Sequence, residues 1–219
     1  MNLPADLLKS IRTRASNPAT IHDHAKWLAV KPTLLPSATL DEIANAEEAM
    51  KLKLPEVLKE LLLNVANGGF GPGYGLIGVG SGYTDFGSGN LENVFRLAHS
   101  EGIKKRFVVE GDGMVPFCNW GCGIYSCLDC SSSDGSKVFL YNPKVDFFSS
   151  QNLKSIEVRD GAGKVKTRMN LEGLDSKPKP QTVPLIQHRD SLLDFMTAWA
   201  NGEGLWDEIM RLSGSPSPS

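Results

Sequence analysis

No apolar run in this 219-residue chain approaches the roughly 20 residues that a bilayer-crossing helix needs, so no membrane span is expected. The opening MNLPADLLKSIRTRA lacks the basic-then-apolar order of a secretory signal and reads as an amphipathic helix, so a cytoplasmic location is expected. Charge of neither sign dominates: 23 Lys and Arg stand against 25 Asp and Glu, a net −2. That balance gives no global attraction to nucleic acid or to an anionic membrane surface. No Gly-Lys-Ser/Thr triplet ends the glycine-rich stretch, so a phosphate loop is absent. A dinucleotide fingerprint fails as well, because a helix and not a strand leads into those glycines. No cofactor is expected.

Catalytic signatures are equally scarce. No Gly-x-Ser-x-Gly elbow surrounds Ser81 or Ser88. His22, His24, His99 and His188 are scattered, with no His-Glu-x-x-His pair among them. Glu47 and Glu48 are adjacent on a helix, so they point apart and cannot act as one acid/base couple. Cysteine is limited to Cys118, Cys122, Cys127 and Cys130, spaced C-x3-C-x4-C-x2-C. That is not the paired C-x-x-C pattern of a usual zinc site. In one extended strand Cys118 and Cys122 would lie about 13 Å apart, at roughly 3.3 Å per residue. A shared zinc would therefore need Asn119-Trp120-Gly121 to turn. Free thiols acting as small hydrophobes are the simpler expectation, with zinc or thiol chemistry as the alternative it displaces.

What is present is ordinary globular composition, 41% hydrophobic and 22% charged, in a readable order. Leu7, Leu8 and Ile11 give a first helix over Leu3–Ala15, and Ile21–Val30 reads as a second one carrying Trp27. Thr39-Leu40-Asp41-Glu42 spells a capping box, and Leu40, Ile43, Ala46 and Met50 supply that helix's apolar stripe. Pro55 starts the next helix, with Val57, Leu58, Leu61, Leu62 and Val65 at helical spacing and Asn67-Gly68-Gly69 as its stop. The short link between the two predicts a helical hairpin. Glycines and the aromatics Phe70, Tyr74, Tyr83 and Phe86 then alternate to Asn90, with Leu76–Val79 as a short strand inside. Leu91–Ser100 is helical.

After Gly102, short β-like runs follow at Arg106–Val109, Met114–Cys118, Gly123–Leu128 and Lys137–Tyr141, separated by turn signals. Phe147-Phe148, Ser155–Val158 and Lys164–Arg168 read as edge strands, with Asp160-Gly161 as a hairpin turn. Lys177–Pro184 is a connector, and Ser191–Ala200 and Leu205–Leu212 are helices. Helices, then strands in tight succession, then helices predict an α+β fold. Its sheet should be mostly antiparallel and twisted, with the N-terminal helical hairpin and the C-terminal helices packed against it. The expected organisation is an N-terminal helical extension over 1–36, an α+β domain over 37–212 and a flexible tail over 213–219.

Charge is uneven within this order. Ser37–Asn67 holds six acids against three lysines, and Gln151–Gln181 holds seven bases against four acids. The acidic helical face, with Glu47 and Glu48, is a candidate surface for a basic protein partner. Phe70, Tyr74, Tyr83 and Trp120, with Asp85, are the candidate recognition residues, because aromatics beside glycine loops give large contact area at low entropic cost.

The pattern of Ile43, Glu47, Leu54-Pro55, Leu58, Leu61 and Asn67-Gly68-Gly69, followed by WGCGIYSCLD over Trp120–Asp129, resembles the SUKH superfamily. That superfamily includes fungal cell-wall assembly regulators and bacterial immunity proteins. The resemblance runs from about Ser37 to Tyr141. It implies an α+β domain without catalytic residues, which binds a protein partner. An immunity protein would neutralise a toxin domain, often a nuclease, by covering it. A regulatory scaffold or signalling adaptor for cell-wall or envelope processes is the alternative.

Overall fold

The capping box forms as spelled. In the computed structural model the Glu42 amide donates to Thr39 Oγ1 at 3.1 Å, and the Thr39 amide donates to Glu42 Oε2 at 2.9 Å. This pair opens helix α2 (Leu40–Met50), which follows α1 (Ala5–Ala15). The structure describes residues 3–85, 87–99, 113–131, 137–142, 155–159, 165–169 and 185–212. The runs expected at Arg106–Val109, Phe147-Phe148, Asp160-Gly161, Lys177–Pro184 and the 213–219 tail lie outside those residues, as does Phe86.

Pro55 caps helix α3 (Glu56–Asn64), its carbonyl accepting from the Lys59 amide at 3.1 Å. The missing proline N–H costs nothing there. α3 ends before the expected Asn67-Gly68 stop, because Asn67 is engaged elsewhere. Its Nδ2 donates to the Val79 carbonyl and its Oδ1 accepts from the Val79 amide, both at 2.9 Å. Between Ile21 and Val30 the expected α-helix is replaced by a 3-10 turn, Asp23–Trp27. Its flanking main chain pairs with the glycine stretch through Gly71 N to Ile21 O (2.8 Å) and His24 N to Gly73 O (3.0 Å). Leu76–Val79 forms only an isolated bridge, Leu76 opposite Cys118.

Helix α4 (Leu91–His99) precedes the sheet. Strands β1 (Met114–Gly121), β2 (Ile124–Asp129) and β3 (Val138–Tyr141) form an antiparallel meander. A separate antiparallel hairpin pairs β4 (Ser155–Arg159) with β5 (Val165–Met169), in register from Ser155 opposite Met169. Strand β6 (Ile186–Arg189), absent from the sequence reading, returns beside β3 and gives the order β1-β2-β3-β6. Helices α5 (Leu192–Ala200) and α6 (Leu205–Leu212) complete the chain.

The fold is α+β, with helices flanking an antiparallel four-stranded sheet. From Ile124 to Leu128 every residue of β2 is buried, so both faces of that strand are covered. Against one side lies α5, whose Phe195 meets Phe117 edge-on at 5.6 Å and Trp120 at 6.3 Å. α4 packs on β1, α2 on α4, and α1 and α3 on α5. Leu3, Ile11, Ala15, Ile21 and Ala25 join the same core as the sheet, so the N-terminal segment is packed into the body.

Candidate functional site

The glycine stretch is held between two layers, and this places Tyr74. On one side Tyr74 N donates to Asn119 O (2.9 Å) and Cys118 Sγ to Pro72 O (3.3 Å), both on β1. On the other, Gly73 N donates to Asp23 Oδ2 at 3.0 Å. Gly73 has φ +58, and a Cβ there would sit 2.5 Å from Asn119 O, so only glycine lets the loop lie this close to the strand.

Around Tyr74 the fold gathers an aromatic face from three distant parts of the chain. The His24 ring lies 4.2 Å from Tyr74 and 5.4 Å from Trp27. Trp206 on α6 meets Tyr74 edge-on at 5.9 Å and Trp27 edge-on at 5.4 Å. Beneath them Trp120 lies 5.9 Å from Trp206. Trp27 is half exposed, whereas Tyr74, His24 and Trp206 are partly buried. Lys26 Nζ sits 4.1 Å over the Trp27 ring. Such a cluster of rigid rings, apolar in body and polar at the edge, suits protein recognition.

The electrostatics beside this face are set by burial. Burial raises the Asp23 carboxyl to about 6, against the opposing pull of the Gly73 N–H and of Arg14, whose Nη2 lies 3.9 Å away. Burial, with the neighbouring His24, lowers His22 to about 4, and burial also lowers His24. Burial raises the Tyr74 phenol, with Cys122 adding to the effect.

The sequence-derived candidates separate. Tyr74 is on the aromatic face. Phe70 and Trp120 are core side chains: Phe70 faces Trp199 at 6.3 Å, and Trp120 Nε1 donates to Ser126 Oγ at 2.8 Å. Trp120 supports the face from below without reaching its surface. Tyr83 is partly buried against Gly69, and burial followed by the Asp85 charge raises its phenol. Asp85 is buried and accepts from Tyr125 Oη at 2.6 Å and from Asn119 Nδ2, so it ties the loop to β1 and β2.

Glu47 is buried at the α2–α3 junction. It accepts from Lys53 Nζ (2.6 Å) and the Leu54 amide (3.0 Å), with Lys59 Nζ 3.7 Å away. Glu48, its neighbour, is exposed. His24, Trp27 and Trp206 were missed as site residues. The signal for them was a tryptophan on each of two short segments outside the central pattern, which becomes informative only when the fold joins them.

Among the described residues no group of three or more His, Cys, Asp or Glu is placed to hold a metal ion. Asn119-Trp120-Gly121, the segment that would have to turn for Cys118 and Cys122 to share one, belongs to β1, with an irregularity in its pairing to β2 between Asn119 and Gly121. Cys118 and Cys127 are buried mid-strand, Cys130 follows β2, and Cys122 is exposed at the β1–β2 tip. Burial pushes the Cys118 and Cys127 thiols far up and Cys130 up to about 12, so these three are protonated thiols at neutral pH. A groove of about 390 Å³ between α2 and α4 and a polar hollow of about 260 Å³ at the β6–α5 junction contain no Ser, Thr or Cys among their described lining residues. No helix among the described residues is long and apolar enough to cross a membrane.

The family model described as SMI1 / KNR4 family (SUKH-1) matches residues 37–157. No curated protein and no solved structure matches the chain at a significant level.

Proposed function

Because this chain belongs to the SMI1 / KNR4 family (SUKH-1), we propose that it is a non-enzymatic protein-binding module that neutralises a toxin domain by direct binding. Family membership supports the binding role. The observation that carries the reading on this chain is the Tyr74–Trp27–Trp206 face, in which the Trp206 ring lies within 6 Å of both Tyr74 and Trp27, His24 lies against the same two rings, and Trp27 is half exposed. An aromatic cluster with a rigid base is what an interface anchor requires, since most binding energy resides in a few such residues.

Neutralisation then works by occlusion. Residues of this face cover the toxin's working surface, and no bond is made or broken. Trp120 and Phe195 stiffen the cluster from below, so little ordering cost remains when a partner arrives. The test is co-expression with toxin domains encoded beside the gene. Cells survive with the intact chain if the reading holds. Failure to bind or protect against any of them refutes it.

A further inference from the structure

We propose that the segment from Trp27 to Leu40, with the aromatic face it borders, takes an acidic stretch of a partner protein that also carries apolar side chains. The proposal rests on the binding-module reading for the class of partner. It goes beyond that reading in naming the surface and its chemical complement.

Exposed apolar surface is concentrated in one place. Among the described residues the exposed large hydrophobics are Trp27 (50%), Val30 (85%), Leu34 (37%) and Leu40 (72%), all within fourteen consecutive positions. Scattered exposed side chains need no explanation, whereas a run of them marks an interaction site. This run also lies mostly outside the part of the chain that the family model covers, which starts at 37.

The segment is anchored at its ends and unsupported between them. At one end Leu28 N donates to Ala25 O (3.2 Å), and Lys31 Nζ reaches back to the same carbonyl at 2.9 Å. At the other, Pro36 O accepts from Asn67 N (2.8 Å) and Ala38 N donates to Leu62 O (2.9 Å). Residues 29–35 make no main-chain hydrogen bond within the described protein.

Charge selects the occupant. From His24 to Leu40 the only charged side chains are Lys26 and Lys31, both exposed, with Asp41 following at the far end. Asp23, partly buried just before the segment, is engaged by Gly73 N and Arg14 and also acts on Lys26, and at the far end the Glu42 carboxylate accepts from Thr39 and Ser81. Lys26 lies over the Trp27 ring, so an incoming carboxylate would meet a cation beside an apolar surface. Complementary charge fixes which partners are admitted, and buried apolar contact supplies the affinity. A basic segment would meet Lys26 and Lys31 as like charges.

The test uses the full chain, isotope-labelled, titrated with two synthetic peptides. One alternates glutamate with leucine and tryptophan; the other carries lysine at each glutamate position. The acidic peptide is expected to shift the resonances of residues 26–34 and the Trp27 indole, and to bind at least about tenfold more tightly than the lysine peptide. The double variant Lys26→Glu with Lys31→Glu is expected to reverse that preference. Val30→Glu, at a position too exposed to threaten folding, is expected to weaken the acidic peptide by a similar factor.

Equal binding of both peptides, shifts confined to the α2–α4 groove, or no shifts at all would overturn the proposal. The two levels separate in the toxin assay. Neutralisation that survives unchanged in the Lys26→Glu, Lys31→Glu and Val30→Glu chains removes the segment as the docking surface and keeps the functional reading, which rests on the aromatic face. A peptide preference without neutralisation of any neighbouring toxin keeps the surface and removes that reading.

Discussion

Asn67 holds Val79 by two hydrogen bonds of 2.9 Å, so one side-chain amide takes the place of a neighbouring strand. Its own carbonyl also accepts from Tyr83 N at 2.8 Å, which makes Asn67 the hub of the turn leading to Tyr83 and Asp85. Asn67→Ala would leave the buried Val79 amide unpaired, at a cost of about 1–3 kcal/mol, while the Val79 carbonyl keeps its bond from Gly82 N at 2.8 Å. The expected loss is therefore about 2 kcal/mol, read as a lowered denaturant midpoint with an unchanged slope. A midpoint close to wild type would show that the turn keeps its form without this amide.

Gly68 sits at φ +80, and a Cβ there would stand 2.6 Å from both Gly78 N and Leu76 O. Both obstacles are backbone and cannot step aside. Gly68→Val combines a β-branched side chain with a left-handed conformation and a clash, so its cost should exceed about 3 kcal/mol. The expected result is a chain that no longer melts cooperatively. An unaltered melting temperature would refute the close approach.

Asp23 and His22 have opposite pH signatures over one window. Asp23, raised to about 6 when folded, holds a proton that the unfolded chain releases near 4. The stability it contributes is fully present below about pH 4 and is lost as pH rises to about 6. His22, lowered to about 4 when folded, lacks a proton that the unfolded chain binds below about 6.5. Its contribution therefore grows as pH rises from about 4 to about 6.5. The two oppose each other, and His24, also lowered by burial, adds to the rising component. Asp23→Asn removes the falling component, and its denaturant midpoint should climb with pH across the window. A profile parallel to wild type would contradict the burial of Asp23.

The two exposed-face tryptophans should separate stability from recognition. Trp27 is half exposed, so Trp27→Ala is expected to change stability by no more than about 0.5 kcal/mol. Trp206, partly buried against Tyr74, Trp27 and Trp120, is expected to cost about 3 kcal/mol when cut to alanine. Thermal melts of the two variants check this. Equal melting temperatures would mean that Trp206 is not seated as described.

The parts of this fold legible in the sequence are those decided by neighbours in the chain. Thr39 and Glu42 are three residues apart, so their reciprocal cap could be read directly, and the Pro55 start likewise. β1, β2 and β3 follow from apolar runs between turns. β6 escaped because Gln187, His188 and Arg189 interrupt any apolar alternation, and only pairing with β3 makes the segment a strand. α3 stops short because Asn67 answers to Val79, and Ile21–Val30 fails to form an α-helix because its main chain answers to Gly71 and Gly73.

The candidate aromatic face was legible only in part, for the same reason. Tyr74 was visible beside its glycines, whereas Phe70 and Trp120 look identical to it in sequence and are carried into the core by tertiary packing. Trp27 and Trp206 come from opposite ends of the chain, so nothing local announces that their rings meet.

The central claim is that this chain works by binding a toxin domain through its aromatic face. Titration calorimetry of the intact chain with the toxin domain encoded beside its gene tests it most directly. The account predicts saturable binding that Trp27→Ala weakens by at least about tenfold while the fold is retained. A folded chain that gives no heat of binding with any such domain would contradict it.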